Sequence, residues 1–131
     1  MPHQFPVSLP RVVDLAIGAI RTNILEGVPQ RVVKAPSRVD VALSREGVDV
    51  TYGIEIGGTI AIPDGSPCNI VAAVGSLPRF DQDGVGTFGA DAGDEIAIFG
   101  SNVNAAAQEL RAQIRITALE DLELIQGGPQ G

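Results

Sequence analysis

Residues 47–63 read GVDVTYGIEIGGTIAIP. Val48, Val50, Tyr52, Ile54 and Ile56 take every second position, and Asp49, Thr51, Gly53, Glu55 and Gly57 fill the gaps. That is the period of a strand with one dry face and one wet face. Helical spacing would scatter the five apolar residues around the whole cylinder. The parity runs on through Gly58 to Ile60 and Ile62, so Gly57 and Gly58 mark either a bulge inside one long strand or a second hairpin turn. Upstream, Val39, Val41 and Leu43 alternate with Asp40, Ala42 and Ser44. Residues 45–47 then form a three-residue connection, which predicts a hairpin into the 48–56 strand. Leu110, Ala112, Ile114, Ile116 and Ala118 alternate with Arg111, Gln113, Arg115 and Thr117, a second amphipathic strand. Its Arg111 and Arg115 are expected to pair across the sheet with Asp49 and Glu55. The apolar run 70–74 predicts an interior strand, and residues 95–99 a short one.

One segment follows a different period. In residues 9–26, Val13, Ile17, Ile20 and Ile24 keep three-to-four spacing, with Arg11, Asp14, Gly18 and Arg21 roughly opposite. Ser8 can cap a helix there, Pro10 suits its first turn, and Gly27 can end it. Residues 1–8, with Pro2 and Pro6, read as an extended arm. Residues 75–95 carry five glycines and five acids but few apolar anchors, so they read as a long loop. Residues 127–131, GGPQG, form a tail with no anchor. The whole predicts a mainly β or α+β fold: a small antiparallel sheet or a sandwich or jelly-roll-like body, with one N-terminal amphipathic helix, as a single domain over residues 9–126.

Composition narrows what such a body can do. At 131 residues, one domain can bury a sufficient core without disulfides. Trp is absent, Tyr occurs once and Phe four times, so aliphatic side chains must fill the interior. Sixteen acids against nine bases give a formal charge of −7. No basic run is present to track a phosphate backbone, so direct nucleic-acid binding is not expected. Cys68 is the single cysteine, which rules out an intrachain disulfide and a Cys-based zinc site. No stretch approaches the roughly 20 apolar residues that span a bilayer, so membrane insertion is not expected. The opening MPHQFPVSLP lacks the basic flank and long apolar run of a secretory leader.

Candidate chemistry is sparse. Asp81, Asp83 and Asp91 lie in the 75–95 segment, and hard oxygen ligands in a loop can hold calcium. Their spacing is not that of an EF-hand. His3 is the only histidine, and no Gly-x-Ser-x-Gly elbow, phosphate loop or His-Glu-x-x-His motif occurs. With one each of His, Cys, Lys and Tyr, the usual acid, base and nucleophile residues are scarce. No enzymatic activity and no cofactor are expected, with calcium left open.

Two likenesses bear on function. The order of helix, residues 38–44, connection, long strand and last strand LRAQIRITALE resembles small domains found beside trypsin-like proteases in bacteria, over residues 12–60 and 108–120. No functional motif of that group carries over. The proline-rich arm, β-rich body and small-residue strands resemble small coat or decoration proteins of bacterial viruses. This second likeness implies a nonenzymatic, self-associating structural protein, a capsid or decoration component of a virion. Its partners would be other copies of itself and other assembly proteins. Phe5, Val7, Leu9, Val12, Leu15, Phe80 and Phe88 are the candidate contact residues. The alternative is a small regulatory or ligand-binding module, cytoplasmic, using the acidic 75–95 loop.

Overall fold

A computed structural model of the chain describes residues 6–119. Two sheets pack their inner faces against each other as a β-rich, sandwich-like body. In chain order the strands are β1 (Val7–Leu15), β2 (Thr22–Asn23), β3 (Ser37–Arg45), β4 (Val50–Ile56), β5 (Thr59–Ser66), β6 (Asn69–Ile70), β7 (Gly84–Ala90), β8 (Ile96–Asn102) and β9 (Gln108–Ala118). A 3-10 turn (Pro29–Arg31) and one short helix, α1 (Phe80–Asp83), complete the described elements. The first sheet runs β1, β9, β3, and the far side of β3 is shared end to end by β6 and β7. The second runs β2, β8, β4, β5. Among the described residues only the β3 and β6 pair is parallel. Leu9, Leu15, Val39, Val41, Leu43, Leu110 and Ile114 from one sheet meet Val50, Tyr52, Ile54, Ile96 and Ile98 from the other in one aliphatic core.

The expected N-terminal helix is not there. Residues 7–15 pair with β9 in unbroken antiparallel register, from Val7 opposite Ile116 to Leu15 opposite Gln108. Adjacent β-branched Val12 and Val13 favour that choice, and Leu9 and Leu15 then turn into the core at strand spacing. The helical periodicity also fails beyond residue 16. Gly18 and Arg21 take positive φ, 75° and 48°, which a right-handed helix excludes. Pairing with β9 therefore overrides a local pattern that suited a helix equally well. Of the arm expected over residues 1–8, Val7 and Ser8 begin β1; residues 1–5 and the tail lie outside the described residues.

The predicted hairpin between residues 38–44 and 48–56 also needs correction. Both strands form, but in different sheets, so residues 46–49 arch over the core instead of turning within one ladder. Arg45 holds the arch. Its Nη1 donates to the carbonyls of Val48 and Val50 at 3.1 and 2.8 Å, and its Nε to that of Cys68 at 2.8 Å. The true hairpin comes next. Gly57 and Gly58, at φ 60° and 82°, turn β4 into β5, and two positive φ values are what a two-residue turn of the favoured hand requires.

Two other expectations shift. The interior strand expected over residues 70–74 reduces to the two-residue β6, and the chain then leaves the sheet. The long loop over 75–95 contains α1 and the strand β7, which pairs with β3.

The ladder between β4 and β5 is irregular beside Gly53. A methyl group there would stand 2.9 Å from the backbone N and Cα of Asp64, atoms that cannot swing aside. Gly89 in β7 has open space and no positive φ. Gly53→Ala is therefore expected to cost about 1–3 kcal/mol in urea unfolding, whereas Gly89→Ala should stay within about 0.5 kcal/mol of the parent.

Candidate interaction surface

The connections at one end of the sandwich are residues 16–21, 46–49, 71–79 and 103–107. Ile17, Ile20, Val48, Val74 and Val103 stand at this end, each between 65% and 82% exposed. Alanines 16, 72, 73, 105, 106 and 107 are exposed beside them. Stretches 16–20, 71–77 and 103–107 contain no charged residue. The two acids of the arch are both turned to local partners. Glu46 Oε1 accepts the Glu109 N–H at 2.9 Å, and Asp49 Oδ2 accepts Asn104 Nδ2 at 2.7 Å.

Hydrogen bonds tie the four loops into one surface. Asn102 is fully buried, and its side-chain amide donates to the carbonyls of Leu15, Ala16 and Ala106 at 3.1, 3.3 and 3.0 Å. Its own N–H donates to the Ala19 carbonyl, and its Oδ1 accepts the Asn104 N–H. Val103 N–H reaches the Asp49 carbonyl at 3.1 Å, joining the arch to the 103–107 loop. The apolar tips are thus presented on a hydrogen-bonded base.

A buried ion pair fixes the remaining loop. Arg111 points to the outer face of the first sheet, yet residues 71–75 cover it completely. Its Nε donates to Glu109 Oε1 at 2.7 Å and its Nη1 to the Val71 carbonyl at 2.6 Å. Glu109 Oε1 also accepts the Gly75 N–H at 2.9 Å. That backbone bond, and then Arg111, hold the Glu109 carboxyl below the usual carboxylate range. The arginines therefore pair otherwise than expected across the sheet: Arg111 with Glu109, and Arg115 with Asp40, while Glu55 pairs with Arg21.

The opposite end has another character. Glu26, Lys34, Asp91 and Glu95 are exposed there, and Arg31 pairs with Glu95 at 2.5 Å. Asp94 Oδ2 accepts the Asp91 N–H at 2.8 Å. The molecule is polarised along its strands, apolar at one end and charged at the other.

The contact residues expected from sequence scatter. Leu9 and Leu15 are buried in the core, because β1 turns them inward, and are closed to a neighbour. Val7 and Val12 are exposed on β1. Phe80 is half-buried, with the Arg115 guanidinium 4.4 Å from its ring centre, and Phe88 packs against the core margin. Phe5 lies outside the described residues. The calcium candidates do not converge. Asp81 pairs with Arg79, Asp83 accepts Asn69 Nδ2 and the Arg79 N–H, and Asp91 lies past the far end of β7. Among the described residues no three His, Cys, Asp or Glu side chains gather to hold an ion. The apolar end was missed because its residues belong to four separate connections, where periodicity carries no signal.

Two hollows lie on the body of the molecule. One, about 370 Å3, is lined mainly by Pro36, Arg38, Phe88, Ala90 and Leu119. The other, about 300 Å3, is lined by Tyr52, Cys68, Asn69, Asp83 and Val85 among others. Burial pushes the Tyr52 phenol up to about 12 and the Cys68 thiol up to about 11, so both stay protonated at neutral pH. Among the described residues no helix is long and apolar enough to cross a membrane.

No protein-family model, curated protein or solved structure matches the chain.

Glu109→Gln leaves the Arg111 charge buried without its counter-ion and should cost about 3–5 kcal/mol in chemical denaturation. Glu109 is depressed in the folded state, so the pair contributes fully above the ordinary Glu value of about 4.3 and loses that contribution as pH falls through the lower folded value. The parent should therefore lose stability on acidification over that window more steeply than Glu109→Gln, in melts taken from pH 6 to pH 3. At pH 8 the Cys68 thiol should react with a disulfide reagent roughly a hundredfold more slowly than an unperturbed thiol, with the rate climbing towards pH 11.

Proposed function

We propose that this chain is a nonenzymatic structural domain that associates with copies of itself, as a capsid or decoration component of a viral particle. The observation that carries this reading is the apolar end. Five well-exposed Val and Ile side chains belong to loops on one hydrogen-bonded frame, in a chain of net charge −7. Clustered apolar exposure of this kind marks an interaction site, whereas single exposed hydrophobic residues are ordinary. The β-rich, sandwich-like body suits such a role by holding its loop ends rigidly. The likeness of the sequence to small coat and decoration proteins points the same way.

A second reading is favoured by the hollow between β4, β6 and α1. A buried phenol, a protonated thiol and the Asp83 carboxylate face one small space within reach of the acidic segment. That arrangement would suit a small polar ligand in a regulatory module.

Absolute mass in solution separates the two. Light scattering behind size exclusion should give a mass above the 13.6 kDa of one chain, rising with protein concentration. A mass fixed at one chain at every concentration overturns self-association and leaves the hollow as the leading site.

A further inference from the structure

We infer that the apolar end is the surface through which two copies meet, crown against crown about a two-fold axis. The inference rests on the self-association reading above and names its interface and its symmetry.

Charge decides the partner. The chain carries −7, so copies repel each other wherever acids face acids. Charge is sparse in the loops at the apolar end: stretches 16–20, 71–77 and 103–107 have none, and Glu46 and Asp49 each accept a neighbour's N–H. Two such ends meet with less like-charge repulsion than two charged poles would. The charged poles, with Glu26, Asp91 and Glu95, then lie at the two far ends of the dimer. A nine-residue strand such as β3 spans roughly 30 Å, which separates the poles by roughly 60 Å, many screening lengths at physiological salt. Seating the apolar end on a neighbour's charged pole would instead cover carboxylates with Val and Ile, removing them from water without partners.

The sheet edges offer a poorer route to association. β1, β5 and β7 are the long edge strands: β1 and β5 each contain a proline, Pro10 and Pro63, which removes a backbone donor, and β7 carries three glycines and an irregular register against β3. β2 and β6 have two residues each. Size also fits. The four loops offer about twenty residues, what each side of a standard interface uses, and a contact of one patch with itself closes at two copies.

The test is sedimentation equilibrium of the full chain, of Val74→Asp, of Val103→Asp, and of Ile60→Asp, which alters an exposed residue near the charged pole. Ile60 controls for a general effect of added charge, and circular dichroism confirms that each variant keeps its sheets. The parent and Ile60→Asp should form dimers, and both crown variants should dissociate at least about tenfold more readily. Oligomers that neither crown variant weakens overturn this interface while leaving self-association intact. A parent assembly larger than two copies that does not resolve into dimers overturns the two-fold closure. A monomeric parent overturns both readings, and binding of that monomer to neutral phosphatidylcholine vesicles would assign the apolar end to a lipid surface.

Discussion

A guanidinium with no exposure to water needs a counter-ion and acceptors close at hand, and Arg111 sets that demand at the centre of this fold. It sits on β9, the strand shared by β1 and β3, on the face turned away from the core. Glu109 lies two residues earlier on the same face, so the strand itself supplies the counter-ion. Its Nη1 meets the Val71 carbonyl while its Nη2 has no acceptor among the described residues, and Glu109 in turn takes the Gly75 N–H. Residues 71–75 are thereby drawn over the sheet. Without this pair that apolar stretch would have little reason to lie where it does.

A second arginine does related work one strand away. Arg45 meets backbone carbonyls of Val48, Val50 and Cys68. It ties the arch between the sheets to the chain that leads into β6. With Asn102 gathering the loops after β1 and β8, three buried polar side chains organise one end of the sandwich. Each satisfies main-chain groups that loops would otherwise leave to water. Their polar atoms point inward, and the apolar side chains of the same loops are left outside. The exposed Val and Ile cluster is a consequence of how these loops are fastened.

The same economy explains the polarity of the molecule. Glu46 and Asp49 at the apolar end accept internal hydrogen bonds, whereas Glu95 at the opposite end forms an exposed pair with Arg31, which contributes little to stability. An acidic chain with one apolar pole of sparse charge has one face on which copies approach with the least repulsion.

Local alternation alone determined β3, β4 and β9, because a strand with one buried face must repeat every two residues and those segments do. Aliphatic composition determined the kind of core, and Gly57 with Gly58 allowed the hairpin that formed. The rest depended on partners distant in sequence. Residues 9–15 satisfied a helical stripe and a strand equally well, and only the open edge of β9 decided between them. Whether β3 and β4 shared a sheet was settled by their pairing with β9 and β8, and Arg45 fastens the resulting arch through backbone acceptors that no side-chain pattern reveals. The apolar end exists only once four connections are brought together, since none of them has a period to read and each contributes only one or two of the exposed side chains.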